Sequence, residues 1–280
     1  MGQSRGALSF VDVTKTYRPG DEHVRAVEHC SFDVPPGEIF MIAGPSGCGK
    51  TTLLNAVAGF QGIDAGTIRL DGQILCGPDR QALPGPDRVV VFQEGALFPW
   101  KTILENVAFG PIVQNRLSRR DALEKARALM ADAGLGGHEH DYPATVSSGV
   151  QRRAEIVRAL MNDPTVLLLD EPYRALDRIT KSLMHESLLE IHARSGVTIL
   201  FITHDLEEAV FLGHRVAVMT ARPGRHKQTI VIDLPHPRDY SIVTTPRFRE
   251  LLQEVSDAVR EEAVRAFAQG DAEGGLAVVR

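Results

Sequence analysis

Cysteine is scarce in this chain. Its 280 residues hold three, Cys30, Cys48 and Cys76, far apart and without paired spacing. That excludes a disulfide framework and a thiolate zinc site, and it fits a reducing compartment. Long apolar runs are missing too. Runs such as Val166–Leu169 and Val197–Ile202 fall far short of the roughly 20 apolar residues that a spanning helix needs, so the chain is not expected to cross a bilayer by itself. Positive charge is not in excess: 31 Lys plus Arg stand against 36 Asp plus Glu, a net charge of -5. This argues against a protein held to nucleic acid by counterion release. The opening residues, Met1 to Gly6, carry no apolar core of the signal-peptide kind, which makes the cytosol the default expectation. No internal repeat or low-complexity segment stands out.

What remains is an ordinary globular composition, 43% hydrophobic and 24% charged, enough for one large domain or one domain with a subdomain. Ser9 to Lys15 and Ala26 to Val34 alternate apolar and polar residues, and Thr67 to Ile74 contains the turn pair Asp71-Gly72. These segments predict an antiparallel patch. Glu38 to Ala43 is a compact apolar run, as a strand covered on both faces requires. A helix is expected from a Ser118 cap through Leu123, Ala126, Leu129 and Met130 to a stop at Gly134. From Thr165 onward strands and helices alternate: Val166–Leu169, a helix over 178–194, Val197–Ile202, a helix over 206–212, and Arg215–Met219. That rhythm predicts a parallel sheet with helices on it. Phe248, Leu251, Leu252, Val255 and Val259 mark an amphipathic helix, with a loose tail expected beyond about Ala268.

Between the buried strand and a helical run stands Gly44-Pro45-Ser46-Gly47-Cys48-Gly49-Lys50-Thr51-Thr52, which fits G-x-x-x-x-G-K-[ST]. Small residues let backbone N–H groups close round phosphates, Lys50 brings a cation to the outer phosphates, and the Thr51 hydroxyl suits Mg²⁺. The helix start adds its dipole. A bare match arises in on the order of 1% of chains of this length at average glycine usage, so the strand–loop–helix context carries the assignment. Cys48 reads as a small filler.

A second element is Val166-Leu167-Leu168-Leu169-Asp170-Glu171. In a parallel sheet this strand delivers Asp170 to the carboxyl end, beside the phosphate loop, where it can hold Mg²⁺ through water. Glu171 follows, in place to orient an attacking water or take its proton. An acidic pair before Pro172 also suits a helix cap.

Taken with Gln93 after Val91-Phe92, Ala175-Leu176-Asp177, and His204 in Ile202-Thr203-His204-Asp205, these elements resemble the ATP-binding subunits of ABC transporters, over about Leu8 to Asp233. The resemblance implies an α/β P-loop NTPase core with a mixed or parallel sheet, an N-terminal antiparallel β patch and a helical subdomain over about 97–162. The ATP-binding domain would then span 1–240, followed by a C-terminal helix and tail over 241–280. It also implies that Tyr17 stacks on adenine, that Gly44 to Thr52 bind ATP, and that Thr51, Gln93 and Asp170 hold Mg²⁺. Glu171, His204 and Gln93 would serve catalysis. Asp177 (the D-loop) and Ser147, Ser148 and Gly149 (the signature) would serve the ATP of a second subunit, most simply an identical copy.

The signature departs from the family's Leu-Ser-Gly-Gly. Here Val146-Ser147-Ser148-Gly149 is followed by Val150-Gln151-Arg152, with Ser148 at the first glycine and Arg152 where glutamine is usual. A serine is costly there if the backbone has positive φ. Phe92 to Trp100, Asp170 to Asp177 and Ala221-Arg222-Pro223-Gly224-Arg225 are similar to importers of nitrate, sulfonates and taurine. The resemblance therefore implies a peripheral subunit on the cytoplasmic face of the inner membrane. It would work with transmembrane permease subunits and, indirectly, a solute-binding protein, not with nucleic acid. Leu97, Phe98 and Trp100 form an apolar cluster suited either to a helix of the permease or to the core. Two other readings are a regulatory subunit that hydrolyses weakly because of Ser148, and a soluble ABC-type ATPase outside transport.

Overall fold

The computed structural model describes residues 5–18, 23–174 and 176–277, with side chains to residue 268. Within the expectations above, Met1 to Ser4, Ala175 and the last three residues lie outside this description.

The first layer is an antiparallel sheet. Strand β1 (Leu8–Tyr17) pairs with β2 (Val24–Val34) on one side and, beyond the phosphate-loop region, with β4 (Ala65–Leu70) on the other; β5 (Gln73–Cys76) completes it. The turn between β4 and β5 places Asp71 at φ 50° and Gly72 at φ 79°, the left-handed pair that a two-residue hairpin demands.

The second layer is a six-stranded sheet in the order β10-β9-β3-β8-β7-β6. Its centre is β3 (Ile39–Ala43), buried at every residue, as a strand with helices on both faces should be. Around it lie β6 (Arg88–Val91), β7 (Val166–Asp170), β8 (Thr198–Ile202) and β9 (Arg215–Met219), with every pairing among these five strands parallel. An antiparallel edge strand, β10 (His226–Val231), follows β9 and was not read from the sequence. Phe40 and Ile42 face α1 (Lys50–Ala58) and the β patch, while Ile39 and Met41 face the second core cluster.

Register sets the site. Ile42 pairs with Ile202, Asp170 with Ile202, Val91 with Leu169, and Ala43 with Val218. The loops that leave β3, β6, β7, β8 and β9 therefore emerge at one level on the carboxyl edge of the sheet, where α/β folds bind ligands.

The inserted helices are α2 (Ile103–Val113), α3 (Arg119–Asp132) and α4 (Ser148–Leu160). Thr102 and Glu105 form a capping box on α2, and Ser118 caps α3 as the sequence predicts. On the parallel sheet lie α5 (Arg178–Ser195) and α6 (Leu206–Leu212).

After β10 the chain turns back onto α6. Arg238, 5% exposed, donates to the carbonyls of Phe211 at 2.9 Å and Gly213 at 2.8 Å. Its guanidinium thus meets the negative end of the α6 dipole, and burial lowers its pKa to about 10. Helix α7 (Pro246–Ala277) then buries Phe248, Leu251 and Val255. It continues past Ala268, where the sequence reading expected a loose tail. Gly270, Gly274 and Gly275 lie within this last part of the helix despite their low helix propensity. No helix among the described residues is long and apolar enough to cross a membrane.

Candidate functional site

The phosphate loop leaves β3 and closes before α1. Gly47 and Gly49 sit at φ 77° and 88°, a region that glycine enters without strain. At Gly49 a Cβ would also come within 2.5 Å of Val27 Cγ2 and 2.8 Å of the Ala26 carbonyl. Lys50 is 8% exposed, and its ammonium donates to the carbonyls of Gly44 at 2.9 Å and Pro45 at 3.0 Å. With those carbonyls as its partners, the cation is held at the mouth of the N–H cradle. Cys48 is fully buried, and burial raises its thiol pKa. It is a packing residue, as the sequence suggested.

Above the loop opens a cleft of about 450 Å³, bounded by Tyr17, Ser46, Lys50, Glu171 and His204 among others. At one end the Tyr17 hydroxyl donates to Gln61 Oε1 at 2.6 Å and lies 3.2 Å from Thr52 Oγ1, which fixes the ring beside the first turn of α1. At the other end Glu171 has φ 45° and its carboxylate is mostly covered, 18% exposed. Its Oε2 lies 3.2 Å from His204 Nδ1 and 3.3 Å from Arg174 NH1. A carboxylate bonded by a guanidinium, with an imidazole close by at the cleft wall, is oriented, and it remains an acceptor for a water proton.

Asp170 stands at the end of β7, and Thr51 Oγ1 donates to its Oδ1 at 3.5 Å. Burial raises the Asp170 pKa, offset in part by that hydrogen bond and by Lys50. Two hard oxygen groups, one of them a carboxylate short of counter-charge, fit a small divalent cation. No group of three or more His, Cys, Asp or Glu among the described residues can hold a metal unaided, so such an ion would depend on phosphate oxygens as well.

Gln93 is not brought into the cleft wall. It lies in an exposed loop whose backbone is gripped by α4. Arg152 donates to the carbonyls of Phe92 and Gln93, each at 2.7 Å, and Glu155 Oε1 accepts from the Ala96 amide at 2.7 Å. Arg158 donates to the Ala96 carbonyl at 2.7 Å and lies over the Phe98 ring. Arg152 and Glu155 pair at 2.6 Å, with 9% and 6% of their side chains exposed. Burial is the main influence on Glu155 and raises its pKa, with Arg152 opposing. Arg152 stands out in the sequence as a departure from the family pattern, whereas the only local sign of Glu155's part is its i,i+3 spacing from Arg152 on a helix.

The signature lies away from the cleft wall. Ser147 caps α4, its hydroxyl accepting from the Val150 amide at 3.4 Å. Ser148 is the first residue of α4 and has no positive φ, so the strain that serine would meet there does not arise. Gly149 is the glycine with a packing reason: a Cβ would lie 3.1 Å from Thr180 Cγ2. Asp177 caps α5, accepting from Thr180 Oγ1 at 2.6 Å and from the Thr180 amide at 3.0 Å. These bonds, the hydroxyl foremost, hold its carboxyl below the usual range. Gly149 and Asp177 are therefore neighbours through Thr180, and neither they nor Ser147 and Ser148 line the cleft. Arg174 and Arg222 also line the cleft and were given no role from sequence.

The family model described as ABC transporter matches residues 27–174. An uncharacterized ABC transporter ATP-binding protein of Methanocaldococcus jannaschii is 38% identical over 260 residues, 93% of this chain and 94% of that protein. A taurine import ATP-binding protein of Roseobacter denitrificans is 43% identical, covering 75% of this chain and 76% of its own length. A nitrate import ATP-binding protein of Synechocystis is 38% identical, covering 90% and 95%. Among solved structures, the dimeric post-hydrolysis state of an ATP-binding cassette bound to ADP and Pi matches with a TM-score of 0.68 and 29% identity. It covers 81% of this chain and all of that one.

Proposed function

This chain belongs to the ABC transporter family, and from that membership we propose that it is the ATP-binding and ATP-hydrolysing subunit of an importer for a small solute of the nitrate, sulfonate or taurine kind. The observation that carries the reading is the cleft itself, whose wall brings together a lysine at the phosphate loop and the Glu171 carboxylate beside His204. The core over 1–240, with the helical insert over about 97–162, acts as the ATP-binding domain, and 241–280 as an appended segment.

In this reading Tyr17 stacks on the adenine, and the amides from Ser46 to Thr52 take the phosphates. Lys50 exchanges its loop carbonyls for phosphate oxygens. When bound at Thr51 and Asp170, Mg²⁺ neutralises charge on the transferred phosphoryl group. Glu171 orients the attacking water, and His204 holds Glu171 in place. Ser147, Ser148, Gly149 and Asp177 lie outside the cleft lining, which supports a site completed by a second copy: α4 presents its N-terminus to the partner's phosphate.

Coupling to the membrane runs through the Gln93 loop. Beside it a second cleft of about 560 Å³ is lined by Phe60, Phe92, Phe98 and Phe109, with Arg158 at its wall. Trp100, 70% exposed, lies against Phe98. This apolar surface supports a docking place for a permease helix, and hence a peripheral position on the cytoplasmic face, with a solute-binding protein engaged through the permease. The reading is tested by titrating the full chain with ATP. Wild type should bind and Lys50→Ala should lose most of that affinity, whereas equal binding would remove the phosphate loop from the account.

A further inference from the structure

The loop after β9 brings a guanidinium to the phosphate loop. Because Ala43 pairs with Val218, Thr220 to Arg222 leave the sheet level with Gly44. Arg222 lines the nucleotide cleft, and its NH2 lies 3.2 Å from where a Cβ on Gly47 would stand. The other cations of that cleft are engaged. Lys50 is held by two loop carbonyls and Arg174 by Glu171. Among the described residues Arg222 has no ion pair or hydrogen-bond acceptor for its side chain, and it is exposed.

Its backbone, by contrast, is fixed. The Gly224 amide donates to the Ala26 carbonyl and the Glu28 amide to the Gly224 carbonyl, both at 2.9 Å. A Cβ on Gly224 would lie 1.8 Å from the Cys48 carbonyl oxygen, so this loop lies directly against the phosphate-loop backbone. The amide beside Arg222, that of Ala221, donates to Glu262 Oε2 at 3.1 Å. Glu262 lies on α7, is 1% exposed, and is itself held by Lys227 at 3.1 Å and Arg265 at 2.8 Å. A buried carboxylate with two cations on one oxygen uses the other to hold the loop.

We propose that Arg222 is a ligand of the nucleotide's phosphates, carried on a loop whose position α7 sets through Glu262. The planar fork of a guanidinium suits phosphate oxygens better than a point charge does. The C-terminal helix thereby gains a part in nucleotide affinity. This inference rests on the nucleotide reading of the cleft.

The test is calorimetric titration of the full chain with the non-hydrolysable analogue AMP-PNP and Mg²⁺. Arg222→Ala should weaken binding by about tenfold, the scale of one charge-assisted contact, with Arg222→Lys between it and wild type. Glu262→Ala, checked for folding by its melting curve, should weaken binding in the same direction and add nothing in the Arg222→Ala background. If Arg222→Ala binds like wild type while Lys50→Ala does not, Arg222 is no phosphate ligand and the inference falls. If the Glu262 and Arg222 effects add in full, the link to α7 falls. If Lys50→Ala also binds like wild type, the nucleotide reading itself is what fails.

Discussion

Arg152 and Gln93, 59 residues apart in the chain, are joined by a 2.7 Å hydrogen bond from guanidinium to backbone carbonyl. The helix that begins with the signature and the loop that carries the glutamine are thus one mechanical piece. Arg152, Glu155 and Arg158 project at i, i+3 and i+6 along α4, and all three hold the segment from Phe92 to Ala96.

The first prediction concerns that clamp. Arg152→Ala leaves Glu155 buried without its counter-ion, and loss of one partner of a buried pair costs about 3–5 kcal/mol. Arg152→Gln, which can still donate to a carbonyl, should cost less. Urea unfolding measures both. The pH dependence carries the sign. The folded pKa of Glu155 lies above its unfolded value, so its contribution to stability is present below the unfolded pKa and is lost as pH rises through the folded one. Removing Arg152 takes away the largest opposing influence. Arg152→Ala should therefore lose more stability than wild type as pH rises from the carboxylate range toward neutral. A pH-independent difference between the two proteins would contradict this.

The second prediction concerns the altered signature. Ser148 is exposed and sits in helical backbone, so Ser148→Gly should not raise ATP turnover and should cost about 0.5 kcal/mol through helix propensity. Gly149→Ala, whose methyl meets Thr180 at 3.1 Å, should cost about 1–3 kcal/mol by overpacking and lower turnover. Steady-state phosphate release and thermal melts separate the two. A clear rise in turnover for Ser148→Gly would show that serine impairs this site.

The third prediction concerns His214. Its Nδ1 accepts from the Ile39 amide at 3.0 Å, and its ring stacks on His236 with centroids 4.6 Å apart. Burial foremost, then the neighbouring His236, His192 and Arg238, lower its pKa from 6.5 to about 4. The folded pKa is depressed, so the contribution is full above the unfolded value and is lost as pH falls toward about 4. For the whole shift this is at most about 3 kcal/mol. His214→Gln should flatten the stability profile between pH 6.5 and 4, measured by urea midpoints. An unchanged slope would place the acid sensitivity elsewhere.

Much of this was legible in the sequence because the signals were local. The buried run Ile39–Ala43, the glycine loop, the Asp71-Gly72 hairpin and the Ser118 cap each announce themselves within a few residues. The phosphate loop, Asp170 and Glu171 could be named because strand ends on one edge of a parallel sheet must converge, whereas His204 was named only through the family resemblance. What was not legible depended on contacts across the chain. Glu262 meets Ala221 over 41 residues, and Arg152 meets Phe92 over 60; neither is visible in a local pattern. The cost expected at Ser148 could not be judged either, since it depends on a backbone angle. Strand β10 was missed because His226–Val231 shows no full alternation and follows a Pro-Gly turn.

The central claim is that this chain hydrolyses ATP with Glu171 orienting the water, and the most direct measurement is single-turnover hydrolysis by the chain assembled with the proposed permease. Wild type should release phosphate, while Glu171→Gln should bind ATP with similar affinity and turn over about 10²–10⁴-fold more slowly. Equal, negligible hydrolysis by both proteins, each still binding ATP, would contradict the account and leave the chain a nucleotide-binding regulatory subunit.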